Sequence, residues 1–323
     1  MLIFRGKITL AILFLFLLIS PTTFQANEKE DEAAKRIALF KKMETITQIP
    51  WYYYAAIDQY ERQIHKEKIS DGVISIQIPE DKWAGPLNPS QTDKQKEYQI
   101  AFFEGMGRDG DGDGFADRTN DEDILASIGH YFLQYGRSKD DIKIALWHFY
   151  ERDLNVQGII YNARVFKAND SIVLEDRVFP LPKNYNYSYR STWGDGRGFG
   201  GRRIHEGTDI FANYGVPVRS TTYGVIEIKG WNRFGGWRIG IRDIHNIYHY
   251  YAHLNGFADG VEVGQIVKPG DVIGSVGATG YGPPGTSGKF PPHLHYGMYK
   301  DNGYSEWSFD PYPFLRKWER MDK

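Results

Sequence analysis

The chain has 323 residues, 41% of them hydrophobic and 15% aromatic, which is enough apolar material for a sizeable core and two domains. Its formal net charge is −2, falling to −4 without residues 1–26, whose only charges are Arg5 and Lys7. That balance, with no basic run interleaved with aromatics, excludes a nucleic-acid partner, and the absence of cysteine excludes disulfides and thiolate-bound zinc, so any metal must be held by histidines and carboxylates.

In chain order, Arg5 and Lys7 precede an apolar stretch, Ile8 to Ser20, and then Phe24-Gln25-Ala26, which offers cleavage after Ala26. Residues 1–26 therefore read as a signal peptide, and the chain as exported to the cell wall or beyond. Thirteen apolar-dominated residues are short for a bilayer span of roughly 20. An uncleaved anchor is the alternative, and the only route to a membrane partner.

Residues 27–47 are charged, with apolar side chains at helical spacing, and predict a surface helix leading into the first domain. Pro50 marks a helix start before WYYYAAIDQYERQIHK, and a loop-rich part containing RDGDGDGFAD (108–117) follows. Helical periodicity then returns over 121–152 around Ile124, Ile128, Phe132, Ile144 and Trp147. This first domain, 48–168, reads as mainly α. Residues 169–199 are expected to be a linker flanking a groove. From there to 323 short β-type runs such as VPVRS, GVIEIKG, WRIGIRD and IYHYYAHL alternate with Gly/Pro/Asn punctuation, the pattern of a β domain. The Gly-heavy segment 274–288 reads as a loop bordering a cleft. The fold class is α+β in two domains.

Three histidines of the β domain fall into two tight groups. His205-Glu206-Gly207-Thr208-Asp209 places an imidazole and a carboxylate four residues apart. His293-Leu294-His295 places two imidazoles at i and i+2, which on a strand point to one face while Leu294 faces the core. His205, Asp209 and one histidine of the pair would make a three-ligand zinc site with a fourth position open for water. Glu206 is expected to point away from the metal. His245 and His249 are read as groove lining or surface, outside the site. Alone, either motif is weak; they gain weight from occurring together.

Their context resembles the LytM/lysostaphin-type metallopeptidases, a family of cell-wall endopeptidases. The matching stretches are IHEGTDIFANYGVPVRS, GVIEIKG, YYAHLNGF, VKPGDVIGSVGATG, PPHLHYGMY and FDPYPFL, in the family's order over residues 200–315. The resemblance implies an antiparallel β-sheet groove, zinc held by His205, Asp209 and His295, and His253 and His293 as the non-ligand catalytic pair. Retention of all five residues argues against a non-catalytic wall or assembly scaffold. The implied substrate is the stem peptide of peptidoglycan.

In the first domain, Asp109, Asp111 and Asp113 followed by Gly114 have the oxygen spacing of a calcium loop, but position 12 is Asn120 instead of Glu. Region 48–165 is similar to the lysozyme-like fold of the lytic transglycosylases. That likeness implies Asp123 as the last calcium carboxylate of a longer loop and Glu61 as the catalytic acid, with Trp51 to Tyr54 lending an apolar pocket. Arg62 stands where those enzymes usually carry serine. A glycan-cleaving enzyme using Glu61 is therefore the rival reading, and a degenerate glycan-binding domain a further one. The layout of lysozyme-like domain followed by zinc β domain is similar to sporulation peptidases that cut the L-alanyl–D-glutamate bond. Cleavage of a D-alanyl–diaminopimelate bond or a glycine cross-bridge is the alternative.

Overall fold

The computed structural model describes residues 21–322 apart from 66, 68, 69, 91 and 200, and the backbone only over 21–28. Most of the expected signal segment lies outside the described residues. Among those described, no helix is long and apolar enough to cross a membrane.

The first half is helical: α1 (Pro21–Thr47), α2 (Trp51–Ile64), α3 (Glu80–Ala84), α4 (Glu97–Phe102), α5 (Asp121–Tyr135), α6 (Lys139–Tyr150) and α7 (Asp153–Asn169), with a two-strand ribbon of β1 (Lys94–Gln95) and β2 (Ala116–Asp117). Pro50 sits at the N-terminal boundary of α2, as expected of a residue that cannot donate a backbone hydrogen bond. The lead-in helix is more than a surface element: Phe40 and Met43 of α1 are fully buried among α2 and α5. The phase expected after residue 135 is wrong. Gly136 ends α5 and Ser138 caps α6, so the periodicity restarts. Ile142, Ala145 and Leu146 face the core, whereas Ile144 and Trp147 are exposed.

The second half is built on one antiparallel sheet in the order β11-β8-β9-β10-β13-β6-β3, with β12 pairing β10 and β7, and β14 pairing β13. The strands are β3 (Tyr187–Tyr189), β4 (Gly196–Arg197), β5 (Arg203–Ile204), β6 (Thr208–Ala212), β7 (Pro217–Arg219), β8 (Gly224–Asn232), β9 (Gly236–Asp243), β10 (Ile247–Phe257), β11 (Ile266–Val267), β12 (Val272–Val276), β13 (His293–Asp301) and β14 (Glu306–Phe309); α8 (Tyr312–Met321) follows. Alternation decides the faces. Ile239 and Ile241 of β9, Tyr251 of β10, and Leu294 and Tyr296 of β13 enter one core with Leu315 and Trp318 of α8. The opposite face is the groove. The segment 169–199 is more than a linker: β3 is an edge strand of the sheet, Phe179 and Leu181 are fully buried, and β4 and β5 pair into a hairpin.

The two halves are packed together. α7 lies against β8, β9 and β11, and Val225 and Ile244 join the helical core. Gln59 donates to the carbonyl of Ile244 at 3.0 Å, and Asn155 to that of Gly303 at 3.2 Å.

Candidate metal centre

β6 and β13 are adjacent and antiparallel, with Asp209 directly opposite His295 and Phe211 opposite His293. Cross-strand pairing thus does what the sequence spacing alone could not: it chooses His295 over His293 as the imidazole facing Asp209. His205 arrives from the end of β5, its backbone held by Asp195. The result is a triangle of donor atoms. His205 Nε2 lies 3.0 Å from Asp209 Oδ1 and 2.8 Å from His295 Nδ1, and His295 Nδ1 lies 3.1 Å from Asp209 Oδ1. Gly207 permits the approach, because a Cβ there would come within 2.7 Å of the His295 ring.

Tautomers follow from the partners. His205 Nδ1 is 2.8 Å from the carbonyl oxygen of Thr192, which can only accept, so the proton is on Nδ1 and the Nε2 lone pair faces the triangle. The Thr192 hydroxyl accepts from the backbone N–H of Asp209 at 3.1 Å, so one residue orients two of the three donors. Burial raises the Asp209 carboxyl, but the bonds to His205 and His295 outweigh it and hold the group well below the usual range. Burial lowers His295 despite the neighbouring Asp209 carboxylate. Two imidazole nitrogens and one carboxylate oxygen converging on one point, with His205 and Asp209 oriented by Thr192, are a donor set suited to zinc.

His253 and His293 stand beside the triangle, their rings 4.7 Å apart. His253 Nδ1 donates to the carbonyl of Thr279 and His293 Nδ1 to that of Pro291, both at 2.7 Å, which leaves each Nε2 with a lone pair. Burial, with His293 and His295 nearby, lowers His253 to about 3, so this imidazole is neutral. The loop expected over 274–288 begins later, since 274–276 belong to β12; Tyr281 in the loop after β12 stacks on His253, and Phe211 lies against His293.

Simple alternation puts His249 and His253 on one face, and here the expectation about His249 fails. β10 carries a bulge between Tyr251 and Leu254, and His253 itself adopts φ 61°. The bulge reverses the parity: Tyr250 and His253 face the groove, while His249 is fully buried between Asp243 (3.1 Å) and the Tyr296 hydroxyl (2.6 Å). It is neither groove lining nor surface.

The groove widens over the triangle into a cavity of about 380 Å³. Arg197 of β4 pairs with Asp209 Oδ2 and leaves Oδ1 to the triangle. Glu206 is turned aside to the Tyr299 hydroxyl at 3.3 Å. Thr192, Arg197 and Tyr281 were not singled out in the sequence. Thr192 and Arg197 belong to the segment read as a linker, and Tyr281 to a loop without periodicity.

In the first domain, Asp109, Asp111 and Asp113 do converge. Asp123 is not one of the three that converge, but it reaches into the same loop: its oxygens accept from the backbone N–H groups of Gly110, Asp111 and Asp117. Asn120 caps α5 and donates to Asp111, and the ammonium of Lys94 sits 2.8 Å from Asp113. Glu61 is buried, receiving the Tyr150 hydroxyl at 2.5 Å on Oε1, with His65 Nε2 3.0 Å from Oε2. Burial and the Glu61 carboxylate hold the Tyr150 phenol well above its usual range. The expected wall of Trp51 to Tyr54 is not what surrounds it. Phe149, Tyr150 and Ile64 line a cleft of about 910 Å³ with Glu61, and Gly303 and Tyr304 of the β domain close one side. Arg62 ties α2 to Glu32 of α1 and to the carbonyl of Val73.

A histidine–aspartate–histidine triangle in an antiparallel groove, with two further imidazoles in reach, defines a metallopeptidase site. Comparison with known proteins agrees. Residues 203–308 match the model of Peptidase family M23. The chain is 58% identical over 316 residues, 97% of its length and 97% of the relative's, to the L-Ala–D-Glu endopeptidase of Bacillus subtilis (strain 168). It is 33% identical over 141 residues, 41% of this chain and 36% of the relative, to the glycyl-glycine endopeptidase ALE-1 of Staphylococcus capitis. Among solved structures, a putative glycyl-glycine endopeptidase lytM from Ruminococcus gnavus is 37% identical, with TM-score 0.42, covering 57% of this chain and 74% of that one. This chain belongs to peptidase family M23, and it is a zinc metalloendopeptidase.

Proposed function

We propose that this chain is an exported enzyme that hydrolyses the L-alanyl–D-glutamate bond in the stem peptides of peptidoglycan. The reading is carried by the convergence of His205 Nε2, Asp209 Oδ1 and His295 Nδ1, in a chain that matches an L-Ala–D-Glu endopeptidase over nearly its whole length. Those three atoms would hold the zinc. When bound, the ion supplies Lewis acidity, lowering the pKa of water from ~15.7 toward ~7.

The chain's own residues then manage protons and position. The neutral Nε2 of His253, directed into the groove, would accept a proton from the attacking water. His293, with Nδ1 committed to Pro291, offers a second Nε2, and the imidazole that has taken the water's proton becomes the acid that returns that proton to the leaving amine. Tyr281 and Phe211 fix the two rings, so neither has to be ordered during the reaction. Arg197, by engaging Asp209 Oδ2, would keep that carboxylate a one-oxygen ligand.

The first domain, read as lysozyme-like, would bind glycan along the cleft beside Glu61 and present the wall to the peptidase. Tyr150 holds Oε1 of Glu61, while Oε2 lies 3.0 Å from His65 Nε2 but is buried without a hydrogen-bond partner, so the cleft suits glycan binding and keeps one carboxylate oxygen uncommitted. Calcium at Asp109, Asp111 and Asp113 would require Lys94 to leave Asp113.

The experiment is digestion of purified peptidoglycan by wild type, His295→Ala and Glu61→Gln, with mass spectrometry of the fragments. New amino termini on D-glutamate that vanish in His295→Ala and persist in Glu61→Gln are expected. New sugar ends that survive His295→Ala but not Glu61→Gln would hand the activity to the first domain.

A further inference from the structure

The bond assigned above implies a charge next to the reaction centre. D-Glutamate acylated on its amino group has two carboxyl groups. A linear stem continues through only one of them, so the leaving residue carries a free carboxylate. A groove that selects this bond has to meet that anion with a cation, because a desolvated carboxylate without a partner is costly.

Three guanidinium groups line the cavity: Arg197, Arg203 and Arg238. Arg197 is already engaged by Asp209. Arg203 donates to the carbonyl of Phe199 at 2.7 Å and lies over the Phe234 ring, on a hairpin of two-residue strands. Arg238 differs from both. It projects from β9, in the body of the sheet, between Trp237 and Ile239. Its Nε is buried without a hydrogen-bond partner, it forms no ion pair among the described residues, and its side-chain partner is the Tyr250 phenol. The two exposed-rim carboxylates of the cavity have other partners, Glu206 with Tyr299 and Glu306 with Arg242. The Arg238 guanidinium lies over the Tyr250 ring, 5.9 Å from its centroid, and Tyr250 meets His295 edge-on with centroids 5.8 Å apart. A strand-anchored cation therefore stands one aromatic ring away from the metal triangle.

We propose that Arg238 is the residue that determines specificity for the leaving side, pairing its planar fork with the free carboxylate of the D-glutamyl residue. The proposal rests on the L-alanyl–D-glutamate reading. The fork suits a carboxylate in a way that a lysine ammonium does not, and a site built for that pair penalises a substrate lacking the charge.

The test compares two otherwise identical stem peptides, one with the free carboxylate and one with it amidated, on the zinc-loaded full chain. Wild type is expected to favour the free acid by roughly 10- to 100-fold in kcat/KM. Arg238→Gln is expected to bring the two peptides to within about threefold by slowing the acid selectively, and Arg203→Gln to keep the preference. Zinc content and melting temperature matching wild type qualify each variant, and if Arg238→Gln does not fold, Arg238→Lys, which keeps the charge but loses the fork, is expected to weaken the preference in its place. Equal cleavage of both peptides by wild type overturns the role of Arg238 while the bond assignment stands. So does a preference that survives Arg238→Gln or disappears in Arg203→Gln. Cleavage of intact wall but of neither peptide removes the bond assignment, and the role of Arg238 with it.

Discussion

Arg152 and Asp301 form a two-pronged ion pair between the helical half and the sheet, with Nη1 2.9 Å from Oδ1 and Nη2 2.6 Å from Oδ2. Asp301 is at the end of β13, the strand that carries His293 and His295 to the groove, and its side chain is 1% exposed. Arg152→Ala leaves that buried carboxylate without its cation. Breaking a buried pair from one side costs about 3–5 kcal/mol, and the partial exposure of Arg152 places this one toward about 3. Denaturant unfolding is expected to report that loss while zinc affinity stays unchanged, since no donor of the triangle touches Arg152. A variant as stable as wild type would mean the pair does not hold the halves together.

Thr192 offers a sharper probe of the metal centre than its ligands do. Thr192→Val keeps the backbone carbonyl that fixes the His205 tautomer and removes only the hydroxyl that accepts from the Asp209 N–H. Loss of an orienting partner behind a ligand typically weakens metal affinity 10- to 100-fold, so zinc binding measured against a competing chelator should weaken by roughly that factor. His295→Ala removes a ligand outright and is expected to weaken it further. Equal affinity of Thr192→Val and wild type would show that the strand pairing alone orients Asp209.

His253 and His293 are separable from the ligands by the same assay. Each has its Nδ1 on a backbone carbonyl and its Nε2 toward the groove, so His253→Ala and His293→Ala should retain zinc. Both should lose kcat, by about 10²- to 10⁴-fold for a lost proton-transfer group. Loss of zinc from either variant would reassign that residue to the metal.

The sequence was most informative where one local rule acts alone. Leu294 between two histidines predicts a strand with a core face and a groove face, and Leu294 is fully buried while His295 points to the metal triangle. It was least informative where a backbone irregularity intervenes. The bulge in β10 moves His253 to the groove and His249 to the core, although the two sit four residues apart, and no residue type in YYAHL announces it. The choice between His293 and His295 depends on register against β6, a long-range property. In α6, a capping box at Ser138 restarts the helical phase, which a single running periodicity over 121–152 does not capture. Thr192 acts through a backbone carbonyl, which any residue possesses.

The cleft of the first domain can be read through His65. Its ring lies 3.0 Å from Glu61 Oε2, and this carboxylate raises the His65 pKa above the ordinary value near 6.5, against the opposing effect of burial. The sign is that of a histidine gaining an acidic partner. The stabilisation is fully present below about 6.5 and is lost as pH rises through the higher folded-state value. Proton NMR of the His65 ring should therefore show a midpoint above 6.5, and Glu61→Gln should bring it down by removing the charge and leaving burial unopposed. An unchanged midpoint in Glu61→Gln would separate His65 from Glu61 and leave Oε2, buried without a hydrogen-bond partner, wholly uncommitted. That oxygen is what a glycosidic acid in this cleft would need, so the same titration also bears on whether Glu61 can act as one.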